Sequence, residues 1–216
     1  MSIFEKLGKN KGTTSSALGK SLASKVLNGD DKILLEAIQL VKYDLKNEKS
    51  KNIRAGAAKI IEKVAETKPE FISPHLKNLL PALNASEPQT RWMIIMAFGY
   101  CASLNPKIAK EGISYAKYFI GEKQGVCLSG AAEIYLGFIG SISTELADEV
   151  FPILLDAYDN PLPNEMDWIL EAFIKIFNKI SPKSKKIIID CATEQLNAFK
   201  PSTKNRATKL LKKINK

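Results

Sequence analysis

The chain has 216 residues, 45% of them apolar and 25% charged, and 32 Lys and Arg against 23 Asp and Glu give a formal net charge of +9. That length and apolar share support a substantial core, and the modest glycine and proline content argues against a long low-complexity linker. No apolar run reaches the roughly 18 residues of a membrane-spanning helix, and the N-terminus does not read as a secretory leader, so a cytoplasmic location is the default expectation. Three scattered cysteines and the single His75 exclude a disulfide framework, a CxxC knuckle and a zinc site, and no cofactor is expected.

Residues 1–13 are polar and carry Lys6, Lys9 and Lys11, so they are expected to be flexible or partly docked, with Ile3, Phe4 and Leu7 available for one short docking turn. An opening helix pair is expected over 14–46, with Leu18, Leu22 and Val26 on its first helix, a break at Asn28-Gly29, and Ile38, Val41 and Leu45 on its second. From residue 50 the chain repeats itself. Arg54 is followed at offsets of three, six, seven and ten by Ala57, Ile60, Ile61 and Val64. Arg91 leads Ile94, Ala97, Phe98 and Cys101, and Leu128 leads Ala131, Ile134, Tyr135 and Phe138. Asp167 leads Leu170, Phe173, Ile174 and Phe177, and Lys204 leads Ala207, Leu210, Leu211 and Ile214. Offsets of three, four and seven share one helix face, so each unit presents an apolar stripe for burial.

A second helix keeps the same beat: Leu76, Leu79 and Leu83, then Ile113, Ala116 and Ile120, then Val150, Ile153 and Ala157, then Ile189, Ala192 and Leu196. The turns repeat as well, with caps expected at Asp30, Thr67, Asn105, Ser143 and Ser181, proline following at 69, 106 and 182, and Glu70 completing a capping box with Thr67. Two registers sharing one period mark an array of stacked helix pairs. The expectation is an all-α, right-handed α-solenoid of about five helix pairs in a single repeat domain over 14–216. Its repeats fall near 14–46, 50–83, 87–120, 124–157 and 166–199, with a closing helix at 201–216.

Asn52-Ile53-Arg54-Ala55-Gly56-Ala57-Ala58, and more faintly Gln89-Thr90-Arg91-Trp92, resemble the HEAT-repeat (armadillo-like) family, in which an apolar residue and an arginine precede a small-residue helix. Later units depart from it, with Leu128 and Asp167 where arginine would stand. The resemblance implies a curved stack whose second helices line a concave side.

The charge is unevenly spread. Residues 179–216 hold eleven Lys and Arg against two acids, whereas 124–174 hold nine acids and no Lys or Arg. A phosphate-tracking groove needs cations along its length, so this alternation argues against a continuous nucleic-acid channel. Lys183, Lys185 and Lys186 crowd a helix start, where the macrodipole disfavours cations, and are the candidate anion-binding residues for an acidic or phosphate contact. The candidate partner-binding residues are Tyr115, Tyr118, Phe151 and Leu155, rimmed by Asp148, Glu149 and Asp156. Aromatic anchors with an acidic rim suit a protein or peptide segment that is apolar with basic flanks.

The reading is thus a non-enzymatic protein-interaction scaffold that uses the concave surface. The alternative is a DNA-binding protein of the alkylpurine DNA glycosylase type, which also uses HEAT-like repeats and lines its site with tryptophan and aspartate. That family's Trp-x-x-x-Asp spacing is absent, because Trp92 leads to Met96 and Trp168 to Ala172. No phosphate loop, nucleophile elbow or HExxH motif is present.

Overall fold

In the computed structural model, which describes residues 2–9 and 17–214, every regular element is an α-helix or a short 3-10 turn. The start of the predicted opening helix, at 14–16, lies outside the described residues, as does the side chain of Ile214. The chain divides into two compact units, one ending at Gly112 and the other beginning at Ile113.

The first unit holds α1 (Ile3–Lys9), α2 (Ala17–Leu27), α3 (Asp31–Leu40), α4 (Lys51–Thr67), α5 (Pro69–Ile72), α6 (Leu76–Leu79), α7 (Pro88–Tyr100) and α8 (Pro106–Ala109). Helix α4 is its hub, touching α1, α2, α3, α5 and α7. The stripe read from the sequence is what it buries: Ala57, Ile60, Ile61 and Val64 are all fully enclosed, as are Ile94, Ala97 and Phe98 on α7 and Cys101 at its C-cap. Burial pushes the Cys101 thiol up to about 12 and its Sγ donates to the Pro69 carbonyl, so it is a core group. The docking turn at the N-terminus is real, because Leu7 on α1 is buried against Gly56, where any Cβ would come within 2.6 Å of it.

The second helix expected at 69–83 is interrupted. Pro74 and Pro81 lack the N–H an α-helix requires, and the backbone tightens there into 3-10 turns at Ser73–His75 and Leu80–Asn84. Leu76, Leu79 and Leu83 nevertheless stay buried.

The second unit holds α9 (Ile113–Glu122), α10 (Val126–Gly140), α11 (Thr144–Asp159), α12 (Met166–Ile176), α13 (Pro182–Glu194) and α14 (Pro201–Ile214). Helix α10 is the hub, packed on α9, α11 and α12, and α14 covers α12 and α13. Gly130 lets the Trp168 indole lie directly on the α10 backbone, where a Cβ would come within 2.6 Å of the ring. Two second-helix stripes are displaced by about one residue from their predicted positions. On α9 the buried residues are Ala116 and Phe119, with Ile113 and Ile120 half-buried; on α13 they are Ile188, Cys191 and Ala192.

Three predicted caps form: Asn105, Ser143 and Ser181 accept from the amides of Ile108, Leu146 and Ser184. Two do not. The Thr67 hydroxyl turns back to donate to the Lys63 carbonyl, leaving Lys68 at the cap position of α5, and Asp30 makes no side-chain cap bond. The capping box with Glu70 is therefore absent.

Candidate partner-binding site

Helix α11 divides sharply into two faces. Ala147, Val150, Phe151, Leu154, Ala157 and Tyr158 are buried. At 100° per residue the opposite arc, about 120° wide, carries Glu145, Asp148, Glu149, Pro152, Leu155, Asp156 and Asp159. All seven are exposed except Leu155, which is half-buried. One solvated face thus presents five carboxylates around a proline and a leucine. Pro152 also has no N–H to give to the Asp148 carbonyl, so a backbone acceptor is freed on that face.

Helix α9 lies beside α11 and supplies the aromatic groups. Tyr118 is 60% exposed and Tyr115 is half-buried. Both rings lean on the buried Phe119, with centroids 6.2 and 6.3 Å from it. A shallow open groove runs along this face of α9, lined by Ser114, Lys117, Tyr118, Gly121 and Glu122.

One predicted member of the site is corrected. Phe151 is 7% exposed and its ring lies 6.2 Å from that of Phe173, so it belongs to the core of the second unit. Its i, i+4 spacing to Leu155 placed both on one side of the helix, but the boundary of the buried arc runs between them. The acids Asp148, Glu149 and Asp156 are exposed as the site requires. Sequence reasoning overlooked Glu145 and Asp159 on the same arc; the 100° increment alone would have found them.

The lysines of the anion-binding expectation begin α13. Lys183 and Lys186 are exposed, whereas Lys185 is half-buried with its Nζ 5.6 Å from the centre of the Phe177 ring. The two tryptophans serve packing: Trp92 lies under the Lys59 ammonium, 4.7 Å from it, and Trp168 covers Gly130.

A second pattern joins the repeat anchors to partners thirty-three residues on. Arg54 is fully buried, donating from Nη2 and Nε to the Glu87 carboxylate at 2.6 and 3.0 Å. Its Nη1 donates to the Asp44, Asn47 and Tyr43 carbonyls. At the anchor of the last full repeat the polarity is reversed, with Lys200 Nζ donating to Asp167 Oδ1 at 2.7 Å. Where Asp167 stands in place of the arginine anchor, the pairing is thus inverted.

Among solved structures, an engineered protein determined by the Northeast Structural Genomics Consortium superposes with a TM-score of 0.64 at 16% identity, over 100% of this chain and 97% of that one. The designed armadillo repeat protein YIII(Dq)4CqI superposes with a TM-score of 0.62 at 13% identity, over 97% and 98%. The chain is an all-α repeat solenoid of the armadillo-like kind. No protein-family model matches the sequence, and no curated protein does. Among the described residues, no helix of this solenoid is long and apolar enough to cross a membrane.

Proposed function

We propose that this solenoid is a non-enzymatic interaction module, and that the α9/α11 face of its second unit takes a protein or peptide segment with an apolar centre and basic flanks. The observations that carry this reading are the exposed arc of α11, where five carboxylates stand with Leu155 at the edge of the arc, and the exposed Tyr118 ring on α9, the helix that packs on α11. Carboxylates concentrated on one face raise the local density of cationic partners and speed their encounter, while the aromatic and the leucine supply desolvated contact. The acceptor freed by Pro152 adds a site for a lysine or arginine donor.

The test is a selection from a displayed peptide library, with the natural chain as bait and Asp148→Lys/Asp156→Lys as counter-bait. The expected yield is sequences with Lys or Arg flanking Leu or aromatic residues, whose affinity falls at least tenfold on the double substitution or on Tyr118→Ala and weakens with salt. Selected sequences that are acidic, or that bind the substituted chain equally well, would overturn the reading. Unchanged far-ultraviolet circular dichroism verifies that the variants keep their helices.

A further inference from the structure

Among the described residues, two carboxyl groups in the interior of the second unit meet no cation. Glu133 projects from α10 and is 0% exposed; Glu165, at the N-cap of α12, is 2% exposed. Neither Glu133 oxygen nor Oε1 of Glu165 receives a well-formed hydrogen bond, while Oε2 of Glu165 accepts the Leu162 amide at 2.5 Å. A buried carboxylate left in this condition is expensive.

The charges around the pair are accounted for. Glu165 at the N-cap of α12 and Asp167 within it act on Glu133, and Ser129 stands one turn earlier on α10; the groups that act on it most include none from α9 or α11, the other helices packed on α10. Asp167 is engaged by Lys200 and Arg206, and Arg206 also reaches Glu171. Among the described residues, no three His, Cys, Asp or Glu groups converge as metal ligands. Leu128 stands at the anchor position that Arg54 occupies in the first unit, so the guanidinium that meets Glu87 there has no counterpart here. The ligand that suits two facing carboxyl oxygens without donors is a proton.

We propose that Glu133 and Glu165 form a buried acid pair that retains one proton between their facing oxygens at neutral pH, so that the second unit loosens as the pH rises. The proton resides on Glu133 and is donated to Oε1 of Glu165, whose other oxygen keeps the Leu162 amide. The direction of the Glu133 shift agrees: its carboxyl is held well above the usual carboxylate range, first by burial, then by the Glu165 carboxyl, with Asp167 adding and the Ser129 hydroxyl opposing. The sign follows from linkage. Below about pH 4 both the folded and the unfolded chain carry the proton. Above that the unfolded chain releases it and the folded chain does not, so this group's contribution to stability declines until the raised folded value is passed. Over that window one retained proton makes the unfolding constant climb about tenfold per pH unit.

Glu133→Gln removes the titration and keeps an amide to donate to Glu165. Urea unfolding of the natural chain and of this variant is compared from pH 5 to pH 8, with hydrogen exchange of the α10 and α12 amides localising the change to the second unit. The expected result is a ratio of unfolding constants, natural over variant, that grows with pH, leaving Glu133→Gln the more stable chain at pH 8. A ratio that does not change with pH would overturn the proposal. Should the variant not fold, carbon-13 titration of the glutamate carboxyls in the natural chain decides: one carboxyl still protonated above pH 6 sustains the pair, and ordinary values throughout refute it. A rise in melting temperature with calcium or magnesium over EDTA, lost in Glu133→Gln, would refute it too and assign the pair to a cation.

Discussion

Glu87 and Glu165 occupy the same station, the N-cap of a repeat's first helix, and both are buried, at 6% and 2% exposure. Glu87 is gripped by the Arg54 guanidinium through two nitrogens and takes the Thr90 hydroxyl as well. Glu165 has the Leu162 amide on one oxygen and Glu133 for a neighbour. The α4 stripe is fully buried, and on α10 Ala131, Ile134 and Tyr135 are buried while Phe138 is half-buried, so both stripes stack whichever solution the polar position adopts. What differs is the response to perturbation. The first unit carries a salt bridge that fails when one partner is removed, whereas the second carries a protonation equilibrium.

Arg54→Ala is the largest perturbation of this comparison. It leaves Glu87 buried without its cation and releases the carbonyls of Tyr43, Asp44 and Asn47, and removing one member of a buried pair costs about 3–5 kcal/mol. Urea denaturation should show that loss, with early exposure of α3 and α4 by hydrogen exchange; a cost under about 1 kcal/mol, the ordinary level for an exposed pair, would mean the guanidinium is not holding the first unit together.

Gly130→Ala ranks next. The added methyl meets the Trp168 indole at 2.6 Å, and overpacking of this kind costs about 1–3 kcal/mol. The melting temperature should fall and the Trp168 fluorescence should shift, whereas a neutral result would show that α12 can move off α10 freely. Lys200→Ala is the smallest. Lys200 is 40% exposed and Asp167 keeps Arg206 nearby, so solvent screening limits the loss to about 1 kcal/mol or less. A loss as large as that of Arg54→Ala would place the inverted pair on equal footing with the first and remove the contrast.

Much of the architecture was legible before any coordinates. The first-helix stripes Ile60-Ile61-Val64, Ile94-Ala97-Phe98 and Leu170-Phe173-Ile174 are buried as their spacing required, because each is long and repeated and one face has to be covered. The second helices were harder to place. Those on α9 and α13 lie about one residue from the predicted stripe, and on α9 the group turned inward is the larger Phe119 in place of Ile120. Thr67 departs from its expected cap because a threonine near a helix end has two acceptable partners, an amide ahead or a carbonyl behind, and local sequence does not choose between them. In the candidate site, Tyr118 and the acids Asp148, Glu149 and Asp156 stand exposed, while Phe151 turned inward.

The residue order by itself determined that this chain is an array of stacked helices, because periodicity and prolines act through neighbours in the chain and repeat with it. Only the tertiary structure decided that Phe151 meets Phe173, that Arg54 meets Glu87, and that Glu133 meets Glu165. Those contacts join residues about 22 to 33 positions apart, and a contact at such a distance is set by how one helix lies on the next, which no local pattern encodes.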